Sequence, residues 1–220
     1  MYWILGAIFA GITAFVATNI DDIVILMLFF ARVNRNFRSK HIIVGQYLGF
    51  LVLIIASLPG FLGGLAIPRA WIGLLGLLPI AIGIKDLLNK NSDDETIQAV
   101  SRSIEIKPAN SNQFLNSIIN PQSYGVAAVT IANGGDNIGI YIPLFASSDL
   151  ARLLVILCVF LVLIGVWCYV AYRLAQHPSV AKILTNYGKV LTPYILIGLG
   201  IFIIIKSSTY QLFTSWVLLK

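Results

Sequence analysis

Six long apolar stretches take up most of this chain: Trp3–Ala31, Ile42–Ile67, Trp71–Leu88, Tyr124–Ala146, Leu150–Ala175 and Val190–Ile205. A helix needs about 20 apolar residues to cross the hydrocarbon core of a bilayer, and 220 residues hold six such crossings with little left over. Transmembrane strands would need alternating segments of about ten residues, and these runs are too long and too continuous. Helices are the remaining way to satisfy backbone hydrogen bonds in lipid. The composition agrees, with 58% apolar and 11% charged residues against about 25% charged in a soluble domain. A soluble globular domain, a disordered chain and a disulfide scaffold are excluded. The expected fold is an all-α, multi-pass integral membrane protein with almost no extramembrane domain.

The basic residues give an orientation. Arg32, Arg35, Arg38 and Lys40 follow the first span, Lys85, Lys90, Arg102 and Lys107 the third, and Arg173, Lys182 and Lys189 the fifth. Arg69, Arg152, Lys206 and Lys220 fall on the other side. The excess of basic residues belongs in the cytoplasm, which leaves both termini outside. Trp3, Trp71 and Trp216 then lie near the outer interface and Tyr172 near the inner one, as aromatic belts do. The net charge of +6 reflects these span ends rather than a nucleic-acid surface. The N-terminus has no Lys or Arg before its apolar run, so it reads as a span and not as a signal peptide. Cys158 and Cys168 share one apolar run, about 15 Å apart along a helix. They are too far apart for a bridge and read as small hydrophobes.

The one sizeable polar stretch, residues 89–122, divides the chain into residues 1–88 and 123–220, with three spans in each. It reads as a cytoplasmic linker, with a helically spaced apolar set at Phe114, Leu115, Ile118 and Ile119 near its exit. The two halves resemble each other. When Ala17–Ala31 (ATNIDDIVILMLFFA) is set against Ala132–Ala146 (ANGGDNIGIYIPLFA), Asp21 falls on Asp136, Ile23 on Ile138, Ile25 on Ile140 and Phe30 on Phe145. Apolar bias accounts for matching Ile or Phe; it does not place an Asp over an Asp in mid-span. A weaker echo joins Ile80–Ile84 to Ile197–Ile201. Three spans per copy is an odd number, so the second copy runs through the membrane upside down. Such inverted three-helix repeats are the architecture of many secondary transporters, whose sites lie near the midplane at broken helices.

Asp21, Asp22 and Asp136 each cost about 2.5–3.5 kcal/mol near the centre of a membrane helix, so each must face the bundle interior and meet a partner. Lys and Arg lie at span ends and loops, and a bound cation is the simplest counter-charge. The neighbours fit a cation: Thr18 and Asn19 stand beside Asp21 and Asp22, and Asn133 and Asn137 flank Asp136. Asn19 and Asp22 are three apart, as are Asn133 and Asp136, so each pair shares a helix face. Gly134 and Gly135 would let the fourth span unwind and offer carbonyls, and Pro143 would kink it. Asp21 and Asp22 point about 100° apart on a regular helix, so both can reach one ion only if that helix is broken too. Gly45-x-x-x-Gly49 reads as a close helix contact, Met27 as packing, and Pro79 and Pro193 as kinks. A protonated Asp bonded between helices is the structural alternative.

The segments TNIDDIVILMLFFAR and TIANGGDNIGIYIPLFA resemble the two signature segments of the CadD-type cadmium resistance transporters of the LysE superfamily. The resemblance extends over most of the chain. It implies a multi-pass protein of the bacterial plasma (inner) membrane that exports cadmium, with zinc as a second ion. It carries Asp21, Asp22, Asp136 and the adjoining Asn19, Asn133 and Asn137 over as the metal site, and the residue cluster itself adds Thr18. The residues themselves select a divalent cation but not cadmium, because carboxylates, amides and carbonyls suit hard ions and soft ions call for sulfur.

The expected function is secondary export of a divalent heavy metal by alternating access, with protons taking the metal's place on the return. No GxxxxGK[ST] motif is present, no catalytic residues are assigned, and no cofactor beyond the transported metal is expected. The expected partners are a divalent ion and membrane lipid, without nucleic acid, and a homo-oligomer is left open. The alternatives are an amino-acid or organic-cation exporter of the same superfamily, a Mg-dependent membrane-embedded enzyme, and a passive channel. The enzyme would need basic residues for phosphate near the acidic motifs, and none is there.

Overall fold

The computed structural model describes residues 2–35, 37–88 and 121–207. Every regular element among them is helical. In chain order these are α1 (Tyr2–Asn19), α2 (Asp22–Ala31), α3 (Ser39–Ala66), α4 (Arg69–Ile72), a 3-10 turn (Gly73–Gly76) and α5 (Leu77–Leu88). The second half holds α6 (Pro121–Asn133), α7 (Gly135–Ala146), α8 (Leu150–Ala175) and α9 (Pro178–Lys206). Three of them, α1, α3 and α8, are long and apolar enough to cross a membrane. The 89–122 linker, for the most part, and Trp216 and Lys220 lie outside the described residues.

The apolar runs and the helices coincide closely, with one instructive difference. The last helix begins at Pro178 rather than near Val190. Proline has its φ preset for a first helical turn and lacks only a donor that such a turn leaves unused. The helix can therefore start in polar sequence, which hydropathy does not register. The start of α8 is equally explicit: the Asp149 carboxylate accepts from the Arg152 backbone N–H at 2.8 Å and pairs with the Arg152 side chain at 3.5 Å.

Both motif-bearing runs are interrupted. The first breaks at Ile20–Asp21 between α1 and α2, and the second at Gly134 between α6 and α7. The breaks are short. Asp21 keeps helical dihedrals (φ −74°, ψ −30°) and Gly134 departs only to φ −84°, ψ 16°. Gly135 is already inside α7, so the expected unwinding over two glycines contracts to one residue. Pro143 sits within α7, and its missing donor is accommodated without ending the helix.

Packing between the halves is reciprocal. The broken pair α6–α7 lies along α3, and the broken pair α1–α2 lies along α8. The 3-10 turn and α5 lie against α9. Exchanging the first, second and third apolar runs with the fourth, fifth and sixth maps these contacts onto one another. At the centre, Phe15, Phe50, Tyr141, Phe145 and Phe160 form one buried aromatic cluster with ring centroids 4.8–6.3 Å apart. Outward faces of α3 and α8 expose Leu51, Val52, Ile55, Leu154, Leu161 and Val162, the surface that lipid rewards and water does not.

Glycines set the closest approaches. A Cβ on Gly45 would lie 2.5 Å from Val126 Cβ, and one on Gly49 would lie 2.6 Å from Thr130 Cβ. The expected close contact at Gly45 and Gly49 is therefore present, against α6. Gly60 and Gly64 continue the same stripe against Ile142 and Ala146 of α7. Met27 packs against the core, and Cys158 and Cys168 are free thiols, one exposed and one buried.

Candidate functional site

The two helix breaks meet at the middle of the molecule. Asn133, the last residue of α6, donates its amide N–H to Asp22 Oδ1 at 2.5 Å. Asn137, in the first turn of α7, reaches the other way. With its amide nitrogen turned toward its acceptors, it donates to the Thr18 carbonyl at 3.0 Å and to Asp136 Oδ1 at 3.3 Å. In the repeat alignment Asn133 falls on Thr18 and Asn137 on Asp22. The two cross-links are therefore the same contact made twice, once in each direction.

A break leaves helix carbonyls without their usual partners, and these are supplied from other helices. Trp167 of α8 donates its indole N–H to the Asn19 carbonyl at 2.6 Å. Asn137 takes the Thr18 carbonyl. These two carbonyls of the first break are therefore closed: buried acceptors in lipid are too costly to leave open, and neighbouring donors have filled them.

Thr18 and Asn19 are buried and bonded inward. Thr18 Oγ1 lies 2.8 Å from the Tyr141 hydroxyl and donates to the Ala14 carbonyl at 3.0 Å. Asn19 Nδ2 donates to the Phe15 carbonyl at 2.8 Å and to the Tyr141 hydroxyl at 3.0 Å. Asn19 Oδ1 is buried and makes no hydrogen bond. It is an acceptor left over at the junction of the two motifs.

The three aspartates divide into two kinds. Asp22 is 4% exposed and held by Asn133, and Gln46 of α3 also interacts with its carboxylate. Asp21 and Asp136 are both exposed and lie within electrostatic range of one another. Asp21 immediately precedes α2 and Asp136 stands in the first turn of α7. Both negative charges therefore sit at the end of a short helix where its dipole favours them. The Asp136 carboxylate accepts from the Asn137 backbone N–H at 3.0 Å.

Among the described residues no three His, Cys, Asp or Glu side chains gather into a group that could hold a metal ion. The site interleaves acids with amides instead, and Asp22 is turned into the Asn133 contact. The counter-charge argument also needs one correction. Lys85 and Asp86, in the last turn of α5, lie within electrostatic range of Asp136. They reach it because α5 runs antiparallel to α7, with Ile82 against Gly139; Asp86 is one turn past Ile82 and Asp136 nearly one turn before Gly139.

These are the residues that the family comparison covers. The chain belongs to the cadmium resistance transporter family. The match runs over residues 15–216, and so includes both motifs and both breaks. No curated protein and no solved structure matches the chain.

Within this transporter family member, sequence reasoning missed four side chains: Gln46, Thr130, Tyr141 and Trp167. A signal existed for each. An uncharged polar group within a span must find a hydrogen bond, and a buried Tyr or Trp needs a partner for its O–H or N–H. Which partner it finds depends on helices far apart in sequence.

Proposed function

We propose that this protein is a secondary transporter that exports cadmium, with zinc as a second substrate, across the plasma (inner) membrane by alternating access. Its six spans form two inverted three-helix repeats, residues 1–88 and 123–220, with the 89–122 linker in the cytoplasm and both termini outside. The observation that carries this reading is the reciprocal pair of bonds at the breaks, Asn133 to Asp22 and Asn137 to the Thr18 carbonyl. Two acidic motifs at matching interruptions, each stitched to the other, are the arrangement in which a rocking half-bundle closes on a midplane substrate.

Asp21 and Asp136 receive the ion, one from each half. Asp22, Asn133, Asn137, Thr18 and Asn19 form the surrounding shell, and the side-chain oxygen of Asn19, Oδ1, is a further donor. Two carboxylates balance one divalent ion, and two protons balance them on the return, which makes proton antiport the matching cycle. The donors are oxygen, which by itself favours harder ions; membership of the family supports cadmium.

Calorimetry on purified protein in detergent tests this, with Cd²⁺, Zn²⁺, Mn²⁺, Mg²⁺ and Ca²⁺ in turn and Asp136→Asn as control. Saturable Cd²⁺ or Zn²⁺ binding that the variant loses is the expected result. No divalent binding, or binding indifferent to Asp136, would overturn the metal assignment and favour an organic-solute exporter.

A further inference from the structure

We infer that Gln46 and Thr130 are positioning residues for the acidic centre: Thr130 orients the Gln46 amide, and Gln46 with Asn133 fixes Asp22, while the exposed Asp21 and Asp136 meet the ion. The inference rests on the metal-transport reading above and assigns roles within it.

The argument begins with backbone distance. Gly45 and Gly49 bring α3 against α6 so closely that a side chain at either position would collide with Val126 or Thr130. Gln46, between them, is 5% exposed and carries two donors and an acceptor into that contact. An amide buried there without partners is costly. Thr130, 4% exposed, donates its hydroxyl to Gln46 Oε1 at 2.7 Å. The carbonyl of its own preceding turn, on Val126, lies farther away at 3.1 Å. With Oε1 engaged as acceptor, the NH₂ end of the amide is the end that remains for other partners. The partner within its reach is the Asp22 carboxylate.

Thr130 and Asn133 are three residues apart on α6 and share one face. That face therefore acts on Asp22 twice, directly through Asn133 and through α3 by way of Gln46. A carboxylate bonded to Asn133 and approached by the Gln46 amide is restrained from two other spans. Asp21 is the next residue along the chain and is exposed. Fixing Asp22 fixes where the Asp21 carboxylate stands relative to Asp136. Groups that orient a ligand from behind it change metal affinity by about 10–100-fold when they are removed.

Cadmium transport into proteoliposomes is the test, with Thr130→Val, Thr130→Ser, Gln46→Leu and Gln46→Asn, each checked for folding by elution and thermal melting. Thr130→Val keeps the volume and removes the hydroxyl; Gln46→Asn keeps an amide but withdraws it by one methylene. Both are expected to raise the apparent KM for Cd²⁺ about tenfold while retaining the maximal rate, and Thr130→Ser should restore the wild-type KM. The Thr130→Val/Gln46→Leu double variant should be no weaker than Gln46→Leu alone, because the two act in series. An unchanged KM in Thr130→Val and Gln46→Asn would overturn the inference, as would losses that simply add. If Thr130→Val fails to fold, Gln46→Asn decides. Asp21→Asn, measured alongside, separates the two readings. If it leaves cadmium transport intact, the metal-site assignment fails. If it abolishes transport while the Gln46 and Thr130 variants keep their KM, only the positioning role fails.

Discussion

The two broken spans carry similar motifs, yet they are built into the molecule differently. The first break lies against α8 with bulky groups: Phe15 meets Trp167 edge-on at 5.3 Å, and the Trp167 indole closes the Asn19 carbonyl. Contact there is less tight, and a Cβ on Gly11 would meet the Val159 side chain at 3.3 Å, which a small shift of that side chain relieves. The second break lies against α3 across glycines, with backbone nearly touching backbone from Gly45 to Gly64. A two-fold pattern of contacts is thus realised once mainly through bulky side chains and once with glycines in close approach to the facing backbone. The first half can tolerate small displacements, because side chains repack. The second tolerates less, because at Gly45, Gly49, Gly60 and Gly64 it meets backbone rather than a side chain that can repack. The polar site sits on that seam, with Asp22 anchored to the tight side and Asp21 and Asp136 left open.

The sharpest way to break this comparison is to neutralise the adjacent aspartates one at a time. Asp21→Asn is expected to reduce cadmium transport in proteoliposomes to the level of empty vesicles. Asp22→Asn is expected to keep transport with an affinity lower by about tenfold. Equal losses from both would remove the division between open and anchored carboxylates.

Next in size are the glycines. Gly49→Ala should lower stability by about 1–3 kcal/mol, since the new methyl meets Thr130 Cβ and backbone rather than a flexible tip. Gly11→Ala on the opposite seam should change stability by less than about 0.5 kcal/mol. Thermal melting of the two variants in one detergent compares the seams directly, and similar shifts would mean that both are packed alike.

Trp167→Phe keeps the ring beside Phe15 and removes the N–H that the Asn19 carbonyl uses. It should cost about 1–2 kcal/mol, measured in the same way, for a buried acceptor left open. A neutral result would show that the break carbonyl finds another donor. A smaller effect than that of Trp167→Phe is expected of Tyr141→Phe. It removes a hydroxyl shared by Thr18 and Asn19 but leaves both with local partners, for a cost of about 0.5–1.5 kcal/mol.

Helix content, the position of nearly every apolar run and the three aspartates were legible in the amino-acid sequence. Lipid imposes rules that act residue by residue: a long apolar run must be helical, and an acid within it must find a partner. The correspondence of Asp21 with Asp136 needed only alignment of the chain with itself. The partners were not legible. Gln46 meets Thr130 across 84 positions of sequence, and Asn133 meets Asp22 across 111. Hydrogen bonding in a bundle is settled by which helix faces which, and glycines set against the facing helix decide that at the scale of single methyl groups. The sequence by itself determined that two similar acidic motifs interrupt long apolar runs. The tertiary structure decided that one acid would be clasped and two left open, because the bonds that clasp Asp22 come from helices whose approach is a property of the whole fold.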